Sequence, residues 1–190
     1  MIEKIYTCRE GYMIQSDFVL VEKAPQSVIE KYKNNIPKQM IELWTQYGFC
    51  TMKNGYLRII NPNNYQELLD ETYFSEEKAI PLFTTAMGDI LVWEDDYLML
   101  LNYRNNFVEV VGGDFDIFIK NLSDETFLNE ALDWMPYPVA VQKYGEPAFD
   151  ECFGYVPLLS LGGPEVAENL QKVKLREHLN LITQFSGPVE

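Results

Sequence analysis

Residues 80–111, IPLFTTAMGDILVWEDDYLMLLNYRNNFVEVV, hold four apolar runs in close succession. Three short connections separate the runs: Met87-Gly88-Asp89, Glu94-Asp95-Asp96 and Arg104-Asn105-Asn106. Apolar runs of strand length that are joined by so few residues pair most naturally as antiparallel hairpins. The stretch therefore predicts an antiparallel meander of about four strands.

Helical patterns lie on both sides of this meander. Residues 25–34 and 37–47 carry apolar residues at helical spacing, each after a proline that suits a first helical turn. After the meander, Asp114 and Ser123 begin short helical patterns, residues 138–144 form another, and Pro164 begins a last stretch with a broad apolar stripe. We therefore predict an α+β fold, an antiparallel meander sheet of about four or more strands flanked by N-terminal and C-terminal helices. We expect two segments, 1–105 and 106–190, packed as one compact unit.

The negative charge is concentrated in one part of the chain. Between Asn61 and Leu170 there are 21 Asp and Glu and four Lys and Arg, a formal charge of −17, whereas the whole chain carries −14. A field of this kind attracts basic partners and repels polyanions. The negative charge therefore argues against nucleic acid, an anionic membrane surface and phosphate-rich ligands as binding partners. The alternative is that the acidic residues only keep the protein soluble.

The composition indicates a soluble globular protein. The chain has 190 residues, of which 47% are apolar and 14% aromatic, enough to bury a core. Neither a signal-peptide pattern nor a run of about 18 apolar residues occurs. We expect a cytoplasmic protein that does not bind membranes and is a monomer or a weak homodimer.

The residues that usually carry chemistry are sparse. Cys8, Cys50 and Cys152 are widely spaced and odd in number, so we expect reduced core thiols instead of disulfides or a metal site. His178 is the only histidine that a catalytic thiolate or serine could use. The sequence predicts no catalytic residue, no metal and no cofactor.

Carboxylate pairs leave one enzymatic alternative open, a carboxylate-dependent hydrolase or metal-binding enzyme. Neighbouring side chains on a strand or a helix do not converge, which argues against this alternative. The pairs are Glu76-Glu77, Asp95-Asp96, Asp114 with Asp116, and Asp150-Glu151.

Nucleic-acid binding would need a basic stripe with interleaved aromatic residues. The two clusters of basic residues, within 31–38 and 172–176, are not interleaved with aromatic residues that look exposed, and we interpret them as solvated helix faces. We expect no direct nucleic-acid contact, although an RNA-related regulatory module stays as a second alternative.

Several segments, taken in order, resemble a known family. They are Leu43-Trp44-x-x-Tyr47-Gly48, Asn61-Pro62 with Tyr65, Ile80-Pro81-Leu82-Phe83, and Gly88-Asp89-Ile90-Leu91-Val92-Trp93. This order resembles the GAD-like domain of immunity proteins in polymorphic-toxin and type VI secretion systems. The tail, from Tyr144-Gly145 through Phe153-Gly154-Tyr155 to Gly162-Gly163 and the last helix, resembles the C-terminal domain paired with it. A more distant similarity is to the SUKH superfamily of α+β immunity domains.

The resemblance implies a non-enzymatic protein that binds and neutralises a cognate toxin, possibly a nuclease, by stoichiometric protein–protein binding. It defines no catalytic residue. A nuclease holds a polyanion in a basic groove, so an acidic surface can occupy that groove. The candidate contacts with such a basic toxin are the meander connections, the following acidic turn and two aromatic anchors. They are Asp89, Trp93, Glu94, Asp95, Asp96, Tyr97, Asp114 and Asp116.

Overall fold

The computed structural model describes residues 4–7, 13–75 and 77–190. It contains eleven named strands and seven named α-helices. The strands are β1 (Lys4–Thr7), β2 (Met13–Ser16), β3 (Val19–Glu22), β4 (Phe49–Met52), β5 (Leu57–Ile59), β6 (Ile80–Thr85), β7 (Ile90–Glu94), β8 (Tyr97–Asn102), β9 (Phe107–Gly112), β10 (Glu151–Tyr155) and β11 (Leu170–Lys174). The helices are α1 (Gln26–Tyr32), α2 (Lys38–Tyr47), α3 (Gln66–Thr72), α4 (Phe115–Asn121), α5 (Glu125–Leu132), α6 (Tyr137–Tyr144) and α7 (Leu175–Ser186).

A seven-stranded antiparallel sheet forms the centre of the molecule. Its strands follow chain order, β3-β4-β5-β6-β7-β8-β9, and every neighbouring pair is antiparallel. The predicted four-strand meander is β6 to β9, so the α+β prediction is confirmed and the sheet is extended by three further strands. Two small hairpins, β1-β2 and β10-β11, lie outside this sheet.

The two faces of the sheet bury different side chains because successive strand residues point to opposite sides. On the first face, which we call the α2 face, Leu91, Leu98 and Leu100 join a large core with α1, α2, α4, α5 and α6. On the second, the α7 face, Val92 and Leu101 join a smaller core with α3 and α7. The sheet is therefore a central layer between two helical layers.

The chain after Gly145 departs from the prediction of one long helix beginning at Pro164. The residues that follow Pro164 form a short 3-10 turn and then β11, and α7 begins only at Leu175. Residues 170–174 form a strand because they pair with β10 along their full length. The β10-β11 hairpin is fixed to the sheet because the Phe153 amide donates to the Ala86 carbonyl at 2.7 Å.

The expected segment boundary at residues 105 and 106 falls in the turn between β8 and β9, and these strands pair along five residue pairs. Hydrogen bonds also join the two segments. The Tyr56 hydroxyl donates to the Leu132 carbonyl, and the Tyr137 hydroxyl donates to the Asn54 carbonyl at 2.7 Å.

Cys50 and Cys152 are buried and are not joined in a disulfide, whereas Cys8 lies outside the described residues. Among the described helices, none has the length and apolar character needed to cross a bilayer.

Candidate functional site

Asp95 and Asp96 form the two-residue turn between β7 and β8. Both residues have positive φ, 48° and 63°, and Glu94 is paired with Tyr97 across the hairpin. Two consecutive left-handed residues make the tight hairpin turn whose twist matches the flanking strands, and Asp tolerates this conformation better than most residues. Both side chains are exposed. The turn therefore presents two carboxylates on a rigid hairpin.

The aromatic residues beside this turn lie on opposite faces of the sheet. Trp93 is half-buried on the α2 face and contacts the Phe115 ring edge-on, with the ring centroids 6.5 Å apart. Tyr97 lies two residues from Met99 on the α7 face and is 48% exposed. Of the two predicted anchors, Tyr97 is the more accessible to a partner.

The start of α4 lies at the same end of the sheet. Asp114 is the N-cap of α4, and its carboxylate accepts from the amides of Asp116 and Ile117 at 3.0 and 3.1 Å, as its predicted role in beginning this helix requires. Asp116 is half-buried and accepts a hydrogen bond from the Gln39 side chain of α2 at 2.8 Å. Asp114 is thus exposed, whereas Asp116 holds α4 against α2.

A groove of about 320 Å³ opens between the hairpin turn and the connection from α1 to α2. Trp93 and Asp96 line one side of the groove, and residues 34–37 line the other. The groove has an aromatic floor, a carboxylate and two asparagine amides, which suits an inserted basic side chain.

Glu94 points to the α7 face and is held by a neighbouring segment. The Tyr73 hydroxyl donates to its carboxylate at 2.7 Å, and the Ser75 hydroxyl donates to the other oxygen. Burial raises the pKa of the Tyr73 hydroxyl, and the hydrogen bond to Glu94 raises that pKa further, so Tyr73 stays a donor. Phe74, between these two donors, is 68% exposed.

Asp89 requires a correction, because its carboxylate is fully buried and does not reach the surface. It accepts from the Arg104 guanidinium at 2.8 Å and from the Thr85 hydroxyl at 3.0 Å. The connection Met87–Asp89 is buried under the β10-β11 hairpin, and a Cβ on Gly88 would lie 3.2 Å from the Cys152 sulfur. We therefore remove Asp89 and this connection from the candidate contact surface.

Another cavity, of about 450 Å³, lies between β3 and the start of α7. Glu22, Asp150 and Glu177 line it together with Lys174, and the Asp150 carboxylate is paired with Lys174 at 2.8 Å. A hydrogen bond from Lys174 lowers the pKa of Asp150, the opposite of what a general acid needs. Within the described residues, no group of three or more His, Cys, Asp or Glu is placed to hold a metal ion.

Seven of the eight predicted residues thus lie at one end of the sheet, on β7, on β8, in the turn between them and at the start of α4. The sequence reasoning overlooked Phe74 and Val110, which are 68% and 54% exposed near the same end. Because both residues are apolar, the sequence predicts that they are buried in the core. Their exposure is evident only from the three-dimensional structure. The one available signal was the position of Val110 in the last strand of the meander, which lies at a sheet edge.

Two family models match the chain. One is described as "GAD-like domain" and matches residues 14–104, and the other, "T6SS immunity protein Tdi1, C-terminal", matches residues 113–186. Together they leave outside only residues 1–13, 105–112 and 187–190. No curated protein matches the chain significantly.

The fold resembles that of a solved structure described as "Crystal structure of Atu4351 from Agrobacterium tumefaciens". The similarity covers 88% of this chain and 85% of that one, with a TM-score of 0.70 and 21% sequence identity. At this identity, the likeness establishes the fold.

Proposed function

The chain belongs to the type VI secretion immunity proteins that join a GAD-like domain to a Tdi1-type C-terminal domain, and from this premise we propose that it neutralises a cognate toxin by stoichiometric binding. The toxin is a basic effector protein, and the complex forms in the cytoplasm of the producing cell. Neutralisation involves no catalysis by the immunity protein.

The observation that supports this mode of action is the acidic end of the sheet. Asp95, Asp96 and Asp114 are exposed there, at a tight hairpin turn and a helix N-cap, both of which fix the local backbone. Carboxylates on a rigid frame bind a basic partner without first having to be ordered, and they speed its association. The groove beside Trp93 adds a pocket for one side chain of the partner.

A nuclease fits this surface best among toxin classes. Its substrate groove is lined with basic residues that neutralise phosphates, so that an acidic protein surface can compete with the nucleic acid for them. The formal charge of −17 between residues 61 and 170 supports the same partner class and opposes direct nucleic-acid binding by this chain.

Co-expression tests the proposal. The protein is expressed together with the effector encoded by its neighbouring gene, and growth and co-purification are measured. We expect growth to be restored and a 1:1 complex to be isolated. The absence of both rescue and co-purification would show that the proposed function is wrong.

A further inference from the structure

The last two strands of the sheet leave an apolar area uncovered on the α7 face. Val92, Met99 and Val110 are direct cross-strand neighbours on β7, β8 and β9. Val92 is fully buried, Met99 is half-buried, and Val110 is 54% exposed. The helical layer therefore ends over β8, and β9 extends beyond it.

Other apolar side chains continue this area. Tyr97, 48% exposed, precedes Met99 on the same face, and Val108 is half-buried opposite Leu101. Phe74 is 68% exposed, and the residues on either side of it bind Glu94, the cross-strand neighbour of Tyr97. We call this set the open face: Phe74, Tyr97, Met99, Val108 and Val110.

The rim of the open face is acidic. Glu94, Asp95 and Asp96 border it at the hairpin turn, whereas exposed Glu109 on β9 pairs with Leu100 and points to the α2 face. Between residues 90 and 112 the only Lys or Arg is Arg104, whose side chain is buried in its ion pair with Asp89; exposed Lys78 lines a cavity with Phe74. An apolar centre with two exposed aromatic residues and a charged rim is typical of protein contact surfaces.

The outer edge of β9 also lacks a strand partner. β9 pairs with β8, and among the described residues no backbone hydrogen bond joins its other edge to any segment. An unpaired edge of six residues can accept a further strand from another protein.

We infer that the open face is the centre of the toxin contact, with the acidic turn as its rim and the edge of β9 alongside. This inference rests on the proposed function and specifies its surface. The occupant is a toxin surface with an apolar centre and surrounding Lys or Arg, because the acidic rim is complementary to that charge. A second copy of this chain fits poorly, since each copy carries a formal charge of −14 and would bring the same acidic rim against its own.

The test compares two double variants with matched exposure. Tyr97→Ser with Val110→Ser removes side chains of the open face that are 48% and 54% exposed, and Val139→Ser with Leu161→Ser removes side chains that are 45% and 55% exposed elsewhere. Each protein is titrated with the effector of the neighbouring gene, and Kd is measured by calorimetry. We expect Kd to rise about 30-fold or more for the open-face variant and to stay within about threefold for the control.

A second measurement uses the unchanged protein. Amide hydrogen exchange of residues 107–111 is compared in the free protein and in the complex, and we expect slower exchange in the complex. Equal Kd values for the two variants, or unchanged exchange at β9, would overturn the inference. If the wild-type protein does not bind the effector at all, the proposed function itself fails. A wild-type homodimer that the open-face substitutions dissociate would assign the surface to self-association and also overturn the inference.

Discussion

Arg104 and Asp133 form an ion pair across the two matched segments, with 3.0 Å between the guanidinium Nη2 and the carboxylate Oδ2. The same nitrogen donates to the main-chain carbonyl of Asp133 at 3.1 Å and to Asp89 at 2.8 Å. Arg104 is the last residue of the GAD-like match, and Asp133 lies within the C-terminal match. Burial lowers the pKa of Arg104, but the Asp89 carboxylate more than offsets this and raises that pKa above its ordinary value. A single buried charge thus connects the sheet to the end of α5.

Replacing Arg104 with Met should destabilise the fold strongly. Asp89 would stay buried without its cation, and breaking a buried ion pair in this way costs about 3–5 kcal/mol in the free energy of unfolding. Urea denaturation measures this loss. The double variant Arg104→Met with Asp89→Leu should recover most of the stability, because no uncompensated charge is left. A single variant as stable as the wild type would contradict this account of the network.

The two matched segments should fold only together. A chain ending at residue 105 would lose β9, the partner of β8, and the contacts that Leu132 and Phe153 make with the first segment. We expect each half, expressed alone, to be insoluble or to lack dispersed amide signals by NMR. Co-expression of both halves should yield a soluble complex. An independently folded first half would show that β9 is not required.

Stability should fall on acidification because of His178. Burial lowers the pKa of this side chain to about 4, whereas the unfolded chain has an ordinary pKa near 6.5. Between these values the unfolded state binds more protons, so the free energy of unfolding decreases as the pH falls from about 6.5 to about 4, by up to about 3 kcal/mol. The variant His178→Gln removes this contribution. Its stability, measured by urea denaturation across that range, should depend less on pH than that of the wild type. Parallel pH dependences would rule out His178 as the source.

Gly154 should not tolerate a side chain. A Cβ at this position would overlap the His178 ring and lie 2.8 Å from the Cγ2 of Val173. Gly154→Ala should therefore cost about 1–3 kcal/mol, since a packed core resists added volume. Gly162→Ala is the control, because nothing lies within 4 Å of its Cβ and only its positive φ of 81° opposes the change, by about 1 kcal/mol. Thermal denaturation compares the two. Equal losses would mean that packing at Gly154 is loose.

Charge reversal at the hairpin turn should slow toxin association. Asp95→Lys with Asp96→Lys removes exposed carboxylates that steer a basic partner, so we expect the association rate at low salt to fall about tenfold or more and the difference to shrink at high salt. Stopped-flow mixing with the effector measures this rate.

The control for this prediction is Glu165→Lys with Glu168→Lys. Both residues are exposed in the connection from β10 to β11. Leu158 and Leu159 of this connection line a small cavity together with Arg104, which follows the end of β8 that is opposite the hairpin turn. The control should change the rate much less. Equal slowing by both variants would indicate steering by net charge alone.

The sheet was largely predictable, because β6 to β9 are long apolar runs with short connections. Asp114 likewise fits the sequence rule for a residue that begins a helix. The strand β11 was not predictable, since its LQKVK pattern also suits the start of a helix and only pairing with β10 decides between them.

The candidate surface was predictable only in part. Asp95 and Asp96 are exposed because the polar residues of a tight hairpin turn lie at the surface. Asp89 is buried because Arg104, fifteen residues away in the sequence, neutralises the charge of its carboxylate. The exposure of Val110 follows from where the helical layer ends, which no local pattern encodes. Sequence reasoning therefore finds polar turns well and cannot assign burial that depends on distant partners.

The open face contributes little to the core, and this has an evolutionary consequence. Val110, Tyr97 and Phe74 lie largely in solvent, so substitutions there should change the free energy of unfolding little. As effectors change, related immunity proteins can therefore acquire substitutions at these positions while the ion pairs of Arg104 and the sheet stay constant. Whether the immunity protein of one strain neutralises the effector of another would then depend on a few surface side chains on a constant fold.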